Sequence, residues 1–102
     1  MRAIWTWVIT IINSYDGAHS VHLVTGTDEA VKKYLVQCVN EDIKMHNEWW
    51  DDPGRAFPER DDTDIYNDPI RKELSATVDY EDYHIDYYAT KIDSKTKHLK
   101  ES

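Results

Sequence analysis

Closely spaced carboxylates are the residues of this chain with the greatest capacity for chemistry. The segment 51–82 contains eleven Asp or Glu residues against four Lys or Arg residues, and the tightest group is Asp61, Asp62, Asp64 and Asp68. Carboxylate oxygens are the ligands that Ca²⁺ and Mg²⁺ prefer, and a pair of carboxyl groups can act as general acid and base. Whether this group can hold a metal ion depends on its spacing.

The spacing does not fit a calcium loop. Such a loop needs oxygen ligands at alternate positions, a glycine at the sixth position and a glutamate at the twelfth. Counted from Asp62, the fifth position is Tyr66, the sixth is Asn67 and the twelfth is Glu73. Only the two ends match, so the sequence predicts an acidic surface and no metal site.

The other reactive side chains form no catalytic pattern. The five histidines include no i, i+4 pair of the kind that binds zinc on a helix. Cys38 falls in a helical apolar pattern, which predicts a buried thiol. The chain has three glycines and neither a phosphate-binding loop nor a nucleophile elbow. We therefore predict a protein that is not an enzyme and that uses no cofactor.

Net charge and composition exclude some kinds of partner. The formal charge is −8, and the segment 51–82 accounts for −7 of it. A negative field repels nucleic acid and attracts basic surfaces, so direct binding to DNA or RNA is not expected. No apolar run approaches the roughly 18 residues that a membrane span needs. A single cysteine favours a reducing compartment, and we expect the protein in the cytoplasm.

Apolar periodicity predicts a hairpin at the start of the chain. Residues 2–12 are apolar on both faces, a pattern typical of a central strand that is covered at least partly on both sides. A turn over 13–17 and a second alternating run over 20–25 follow. The two runs predict adjacent antiparallel strands.

A long helix is predicted next. Thr27 provides a capping hydroxyl, and from Val31 to Ile43 apolar residues recur every three or four positions. The first stop signal lies at 51–54, so the helix is expected to continue to about Trp50. Its apolar stripe should pack on the sheet.

Less regular structure is predicted for the rest of the chain. Residues 53–68 indicate a loop with a turn of helix, and Asp68 followed by proline favours a short helix over 70–76. The alternative is a strand over 73–80, where apolar and polar residues alternate. Alternation over 83–92 predicts the closing strand.

These elements predict a single α+β domain over residues 1–94. Its order is β-β-α, then a loop with a short helix, then β, with a small antiparallel sheet packed against one long helix. Residues 95–102 are predicted to be a basic, frayed tail.

Aromatic side chains accompany the carboxylates. Trp49 and Trp50 are adjacent, and neighbouring helix positions point about 100° apart, so one indole can be exposed beside Asp51 and Asp52. Exposed Trp and Tyr dominate the energetics of protein interfaces. The alternative is that both indoles pack against the edge of the sheet. The predicted partner-binding residues are Trp49, Trp50, Asp51, Asp52, Asp61, Asp62, Asp64, Tyr66, Asp68, Glu81 and Asp82.

In type the chain resembles the small acidic inhibitors of phages and mobile elements, including anti-CRISPR and anti-restriction proteins. The resemblance covers about 49–86 and lies in aromatic-flanked acidic segments such as 49–52 and 60–64. It aligns no family motif and transfers no functional residue. It implies a protein that occupies the basic groove of a nucleic-acid-binding protein, such as a CRISPR effector, by mimicking nucleic acid.

A different class of function fits the same sequence. The chain could be an interaction or adaptor module whose acidity only keeps it in solution. Such a module could homodimerise through an edge strand or through the surface at Trp49 and Trp50.

Overall fold

The computed structural model describes residues 4–17, 19–50 and 56–92, with the backbone alone at Trp50. The elements in chain order are β1 (Trp5–Asn13), β2 (His19–Gly26), α1 (Asp28–Trp50), a 3₁₀ turn (Asp62–Asp64), β3 (Tyr66–Asp68), β4 (Glu73–Asp79) and β5 (His84–Ile92). The predicted tail at 95–102, the domain limit at residue 94, and the predicted site residues Asp51 and Asp52 lie outside the described residues.

The strands form one antiparallel sheet in the order β2-β1-β5-β4-β3. β1 pairs with β2 as the predicted hairpin and with β5 on its other side, which confirms its central position. With α1 packed on the sheet, the predicted α+β class is confirmed.

The helix begins where the sequence predicts. The Thr27 hydroxyl oxygen accepts a hydrogen bond from the Ala30 N–H at 3.2 Å. Asp28 and Glu29 occupy the first turn, where carboxylates suit the positive end of the helix dipole. The residues that face the sheet recur every fourth position and are buried: Val31, Leu35, Val39 and Ile43. Cys38 lies beside this row and packs against the core, but it is half-buried and not fully buried as predicted.

The hydrophobic core lies between α1 and one face of the sheet. Each strand from β1 to β5 points every second side chain toward the helix, apart from the short β3. The largest fully buried side chains are Trp7, Tyr87, Ile9, Leu35, Ile43, Val39 and Val78.

The short helix predicted over 70–76 does not form. Asp68 does accept hydrogen bonds from the N–H groups of Ile70 and Arg71, as an N-cap would, but only a turn follows. Lys72 has a φ of 54°, which ends the turn, and β4 begins at the next residue. Apolar and polar residues alternate along β4, and β4 pairs with β5 over its whole length. The hydrogen bonds and side-chain packing of this pairing outweigh the local capping signal at Asp68. Ile70, which such a helix would turn toward the core, is 91% exposed.

The second face of the sheet carries no helix within the described part of the chain, so the predicted cover on both faces of β1 is absent there. Val8 and Ile12 of β1 are half-buried on this face, flanked by neighbouring strands. Val21 and Leu23 of β2 lie beside them and are each 64% exposed. The face is therefore open and apolar on the β1–β2 side.

Candidate protein-binding site

The structure does not bring the predicted site residues together in one place. Trp49 lies in the last turn of α1 and is 77% exposed, so its indole does not pack at the sheet edge. Glu81 and Asp82 are exposed on the turn between β4 and β5. For Trp50, only the backbone is described.

A second group lies on the 3₁₀ turn. Asp61, Asp62 and Asp64 are exposed, and Asp61 caps the turn by accepting a hydrogen bond from the Thr63 N–H at 2.9 Å. Asp64 reciprocates by accepting from the Asp61 N–H at 2.9 Å, which completes a capping box. The hydrogen bonds from Thr63 lower the pKa of Asp61. The turn therefore presents fixed negative charges.

Tyr66 and Asp68 do not belong to this group. Tyr66 is exposed on the open face of the sheet, opposite Ser75 of β4. Asp68 lies at the far end of β3, where it caps the turn to β4 and has Arg71 at 3.9 Å. The predicted site residues therefore do not all lie on one acidic surface. We define the acidic edge as the exposed carboxylates of the 3₁₀ turn and the end of β4: Asp61, Asp62, Asp64, Asp79, Glu81 and Asp82.

A cleft of about 460 Å³ opens at the end of the molecule where α1 ends and β5 begins. We call it the terminal cleft. It is lined by Asn13, Asp42, Met45, His46, Glu48, Trp49, Tyr83 and Ile85. Five of these residues come from α1, and four of the five, at positions 42, 45, 46 and 49, have a spacing of i, i+3, i+4 and i+7 that places them on one side of a helix.

Asp42 is the functional residue that sequence analysis misses. Its Oδ2 atom accepts a hydrogen bond of 2.6 Å from the hydroxyl of Tyr87, which is buried in the core. Burial raises the pKa of Asp42, although the bond from Tyr87 acts in the opposite direction. The signal in the sequence was the i, i+7 spacing of Asp42 and Trp49, which places a carboxylate and an indole on one helix side.

An aromatic cluster connects two residues of the cleft lining, His46 of α1 and Tyr83 of the turn before β5, with Tyr80 and Phe57. The ring centroid of His46 lies 4.2 Å from that of Tyr80 and 5.3 Å from that of Phe57. His46 Nδ1 and the Tyr83 hydroxyl share a hydrogen bond of 2.8 Å, and Tyr83 stacks on Tyr80 at 4.9 Å. Burial lowers the pKa of His46, and the nearby Asp82 carboxylate offsets part of this effect. Asp82 therefore links the acidic edge to the cleft.

Charge is unevenly distributed along the sheet. At the end where α1 begins, a depression is lined by two lysines, Lys72 and Lys91, and by two carboxylates, Asp28 and Glu73, and Arg71 lies on the adjoining turn. Lys91 Nζ lies 3.1 Å from Asp28 Oδ1 and 4.9 Å from the ring centroid of Trp5. The terminal cleft, at the other end, has no Lys or Arg among the described residues of its lining. Its end of α1 also carries no basic residue to offset the negative end of the helix dipole.

In comparisons with known proteins, no family model matched the chain, and no curated protein or solved structure was significantly similar to it. Among the described residues, no three His, Cys, Asp or Glu side chains are grouped so that they could hold a metal ion. No helix in the same part of the chain is long and apolar enough to cross a membrane.

Proposed function

We propose that this protein binds the basic groove of a nucleic-acid-processing enzyme, most concretely a CRISPR effector, and blocks it by taking the place of nucleic acid. The observation that carries the proposal is the acidic edge, whose Asp82 lies close to His46, a residue that lines the terminal cleft together with the exposed Trp49. Nucleic-acid grooves hold phosphates through Lys and Arg, and fixed carboxylates offer the same charge. The protein acts in the cytoplasm by binding, without a catalytic step.

Two further features support a role in binding. The capping box holds the charges of the 3₁₀ turn before any partner arrives, which lowers the entropic cost of association. The opposite end of the sheet is closer to neutral, because Lys72 and Lys91 line their depression together with Asp28 and Glu73, so the molecule has an uneven electrostatic field. Such a field steers a basic partner toward the acidic end and makes association salt-sensitive.

The proposal is tested with a panel of purified, guide-loaded CRISPR effectors applied to the immobilised chain. At least one effector should be retained at low salt, released at high salt, displaced by duplex DNA, and inhibited in target cleavage. Replacing Asp62→Asn together with Asp82→Asn should weaken retention and flatten its salt dependence. Asp61 and Asp64 are left unchanged because they hold the turn.

The matched control removes two carboxylates from exposed positions of α1 by Glu29→Gln with Glu41→Gln. The net charge changes by the same amount in both variants, so only a localised surface predicts a difference between them. Equal loss of retention would mean that overall charge alone drives the interaction. The proposal would be contradicted if DNA did not displace the retained effectors from the chain, or if those effectors still cleaved their target fully.

A homodimeric adaptor is the second candidate, and the β1–β2 hairpin favours it. The two strands contain no Asp, Glu, Lys or Arg, and among the described strands β2 lies at the edge of the sheet, with β1 as its one neighbour. Edge strands that lack charge and proline readily pair with another strand. Two copies of an acidic chain repel each other least where the surface is neutral.

The adaptor hypothesis predicts a dimer in solution that high salt does not dissociate, since its interface carries no charged residue. Leu23→Lys places a charge on the exposed apolar side of β2 and should give a monomer. Size-exclusion chromatography with light scattering measures both results. Ile70→Lys is the control, because Ile70 is exposed on the turn before β4. A monomer at all concentrations would exclude this candidate.

A further inference from the structure

We infer that the terminal cleft binds the guanidinium group of an arginine of the partner protein, with the Trp49 indole against its face and the Asp42 and Glu48 carboxylates at its N–H groups. The inference rests on the proposed function, because it names the residue through which a basic partner is anchored. It concerns a site separate from the 3₁₀ turn, which the sequence singled out.

The shape of the cleft suits a side chain that enters from another protein. Its volume of about 460 Å³ falls within the range of pockets that enclose small ligands. The buried side chain of Ile85 lies at its base, and the exposed side chains of Met45 and Trp49 form one wall. The long methylene chain of arginine can pack on these apolar atoms while its charged end meets polar groups.

The charges that line the cleft favour a cation as the bound group. Asp42 and Glu48 contribute two carboxylates, Asp82 lies near His46, and the part of the lining that the structure describes includes no Lys or Arg. Asp42 uses Oδ2 to accept from Tyr87, and its Oδ1 accepts no hydrogen bond from the described residues. A half-buried carboxylate with an open oxygen gains more from a hydrogen-bonded cation than a fully solvated one does.

Arginine fits this arrangement better than lysine. A guanidinium group is planar, so it can stack on an aromatic ring and still donate in-plane hydrogen bonds to carboxylates. Tryptophan is the side chain that attracts cations most strongly, and Trp49 is largely exposed beside the cleft. The ring of Tyr83 is less accessible, because Tyr80 stacks on it and the edge of Tyr15 approaches within 5.8 Å.

The test is an NMR titration of the full chain with three blocked tripeptides that carry arginine, lysine or citrulline between glycines. The arginine peptide should shift amide resonances of the cleft and the indole resonance of Trp49. The citrulline peptide has the same shape without the charge and should cause little shift. Asp42→Asn keeps an oxygen that accepts from Tyr87, and should weaken arginine binding about tenfold or more, the effect of losing a charge-assisted hydrogen bond.

Two other variants keep the test decisive if Asp42→Asn disturbs the fold. Glu48→Gln changes an exposed residue of the cleft and should also weaken binding. Glu29→Gln removes an equal charge at the other end of α1 and should leave arginine binding unchanged. Three results would overturn the inference. They are resonance shifts centred on the 3₁₀ turn, binding of the citrulline or lysine peptide as strong as that of the arginine peptide, and no shift at all.

The two proposals fail in different ways. If arginine does not enter the cleft but effectors are still retained and inhibited, the inference is wrong and the proposed function stands. If arginine binds the cleft but no effector is retained, the cleft is an arginine site and the proposed function is wrong.

Discussion

Replacing Trp7 by alanine is expected to lower the free energy of unfolding by about 3–5 kcal/mol, the usual cost of removing a large aromatic side chain from a core. Trp7 is 1% exposed, and its indole Nε1 donates a hydrogen bond of 3.1 Å to the carbonyl oxygen of Gly26. This bond ties β1 to the residue where β2 ends, just before α1. Because domains of this size are stable by only about 5–15 kcal/mol, the variant should be largely unfolded or melt at a much lower temperature.

The control is the same substitution at Trp49, which is 77% exposed. Trp49→Ala should change the free energy of unfolding by no more than about 0.5 kcal/mol, as exposed substitutions generally do. It should nevertheless remove arginine binding from the terminal cleft. Urea unfolding of both variants measures the stabilities. Similar losses of stability would mean that the Trp49 indole is part of the core, which would contradict its place in the site.

The parts of the fold that local periodicity determines were predictable. The stripe from Val31 to Ile43 identifies α1, and the two apolar faces of β1 indicate its central position. The segment 70–76 was not predictable in the same way. Its capping signal at Asp68 is local, whereas the pairing of β4 with β5 is a tertiary interaction that no short window of sequence contains.

The site was predictable only in part for a related reason. A Trp in the last turn of a helix beside carboxylates suggested exposure, and Trp49 is exposed. Which carboxylates share a surface depends on the sheet register, which places Asp68 and Asp79 at opposite ends of the β3–β4 pair. Asp42 was missed because its importance comes from Tyr87, which lies 45 positions later in the chain.

The second large effect on stability is expected where Asp42 meets the sheet. Tyr87→Phe deletes the hydroxyl that donates to Asp42 Oδ2 and leaves a half-buried carboxylate without this donor. Hydrogen bonds to charged groups contribute about 1.5–3 kcal/mol, so a loss of this size is expected in the free energy of unfolding. Tyr80→Phe deletes the same atom from a hydroxyl that is buried without a hydrogen-bond partner among the described residues. That variant should be unchanged or more stable by up to about 1 kcal/mol, because an unpaired polar atom leaves the core.

The pH dependence of Tyr87→Phe separates a lost hydrogen bond from a simple packing defect. Burial raises the pKa of Asp42 above its ordinary value of 3.8, so the folded state binds the Asp42 proton more readily than the unfolded chain does. As the pH falls through this raised pKa toward 3.8, Asp42 therefore contributes stability by taking up a proton. Loss of the Tyr87 hydroxyl raises the pKa further, and the penalty should be largest at neutral pH and shrink in acid. Urea unfolding of both tyrosine variants across this range measures the effect, and a penalty that is constant with pH would assign the loss to packing instead.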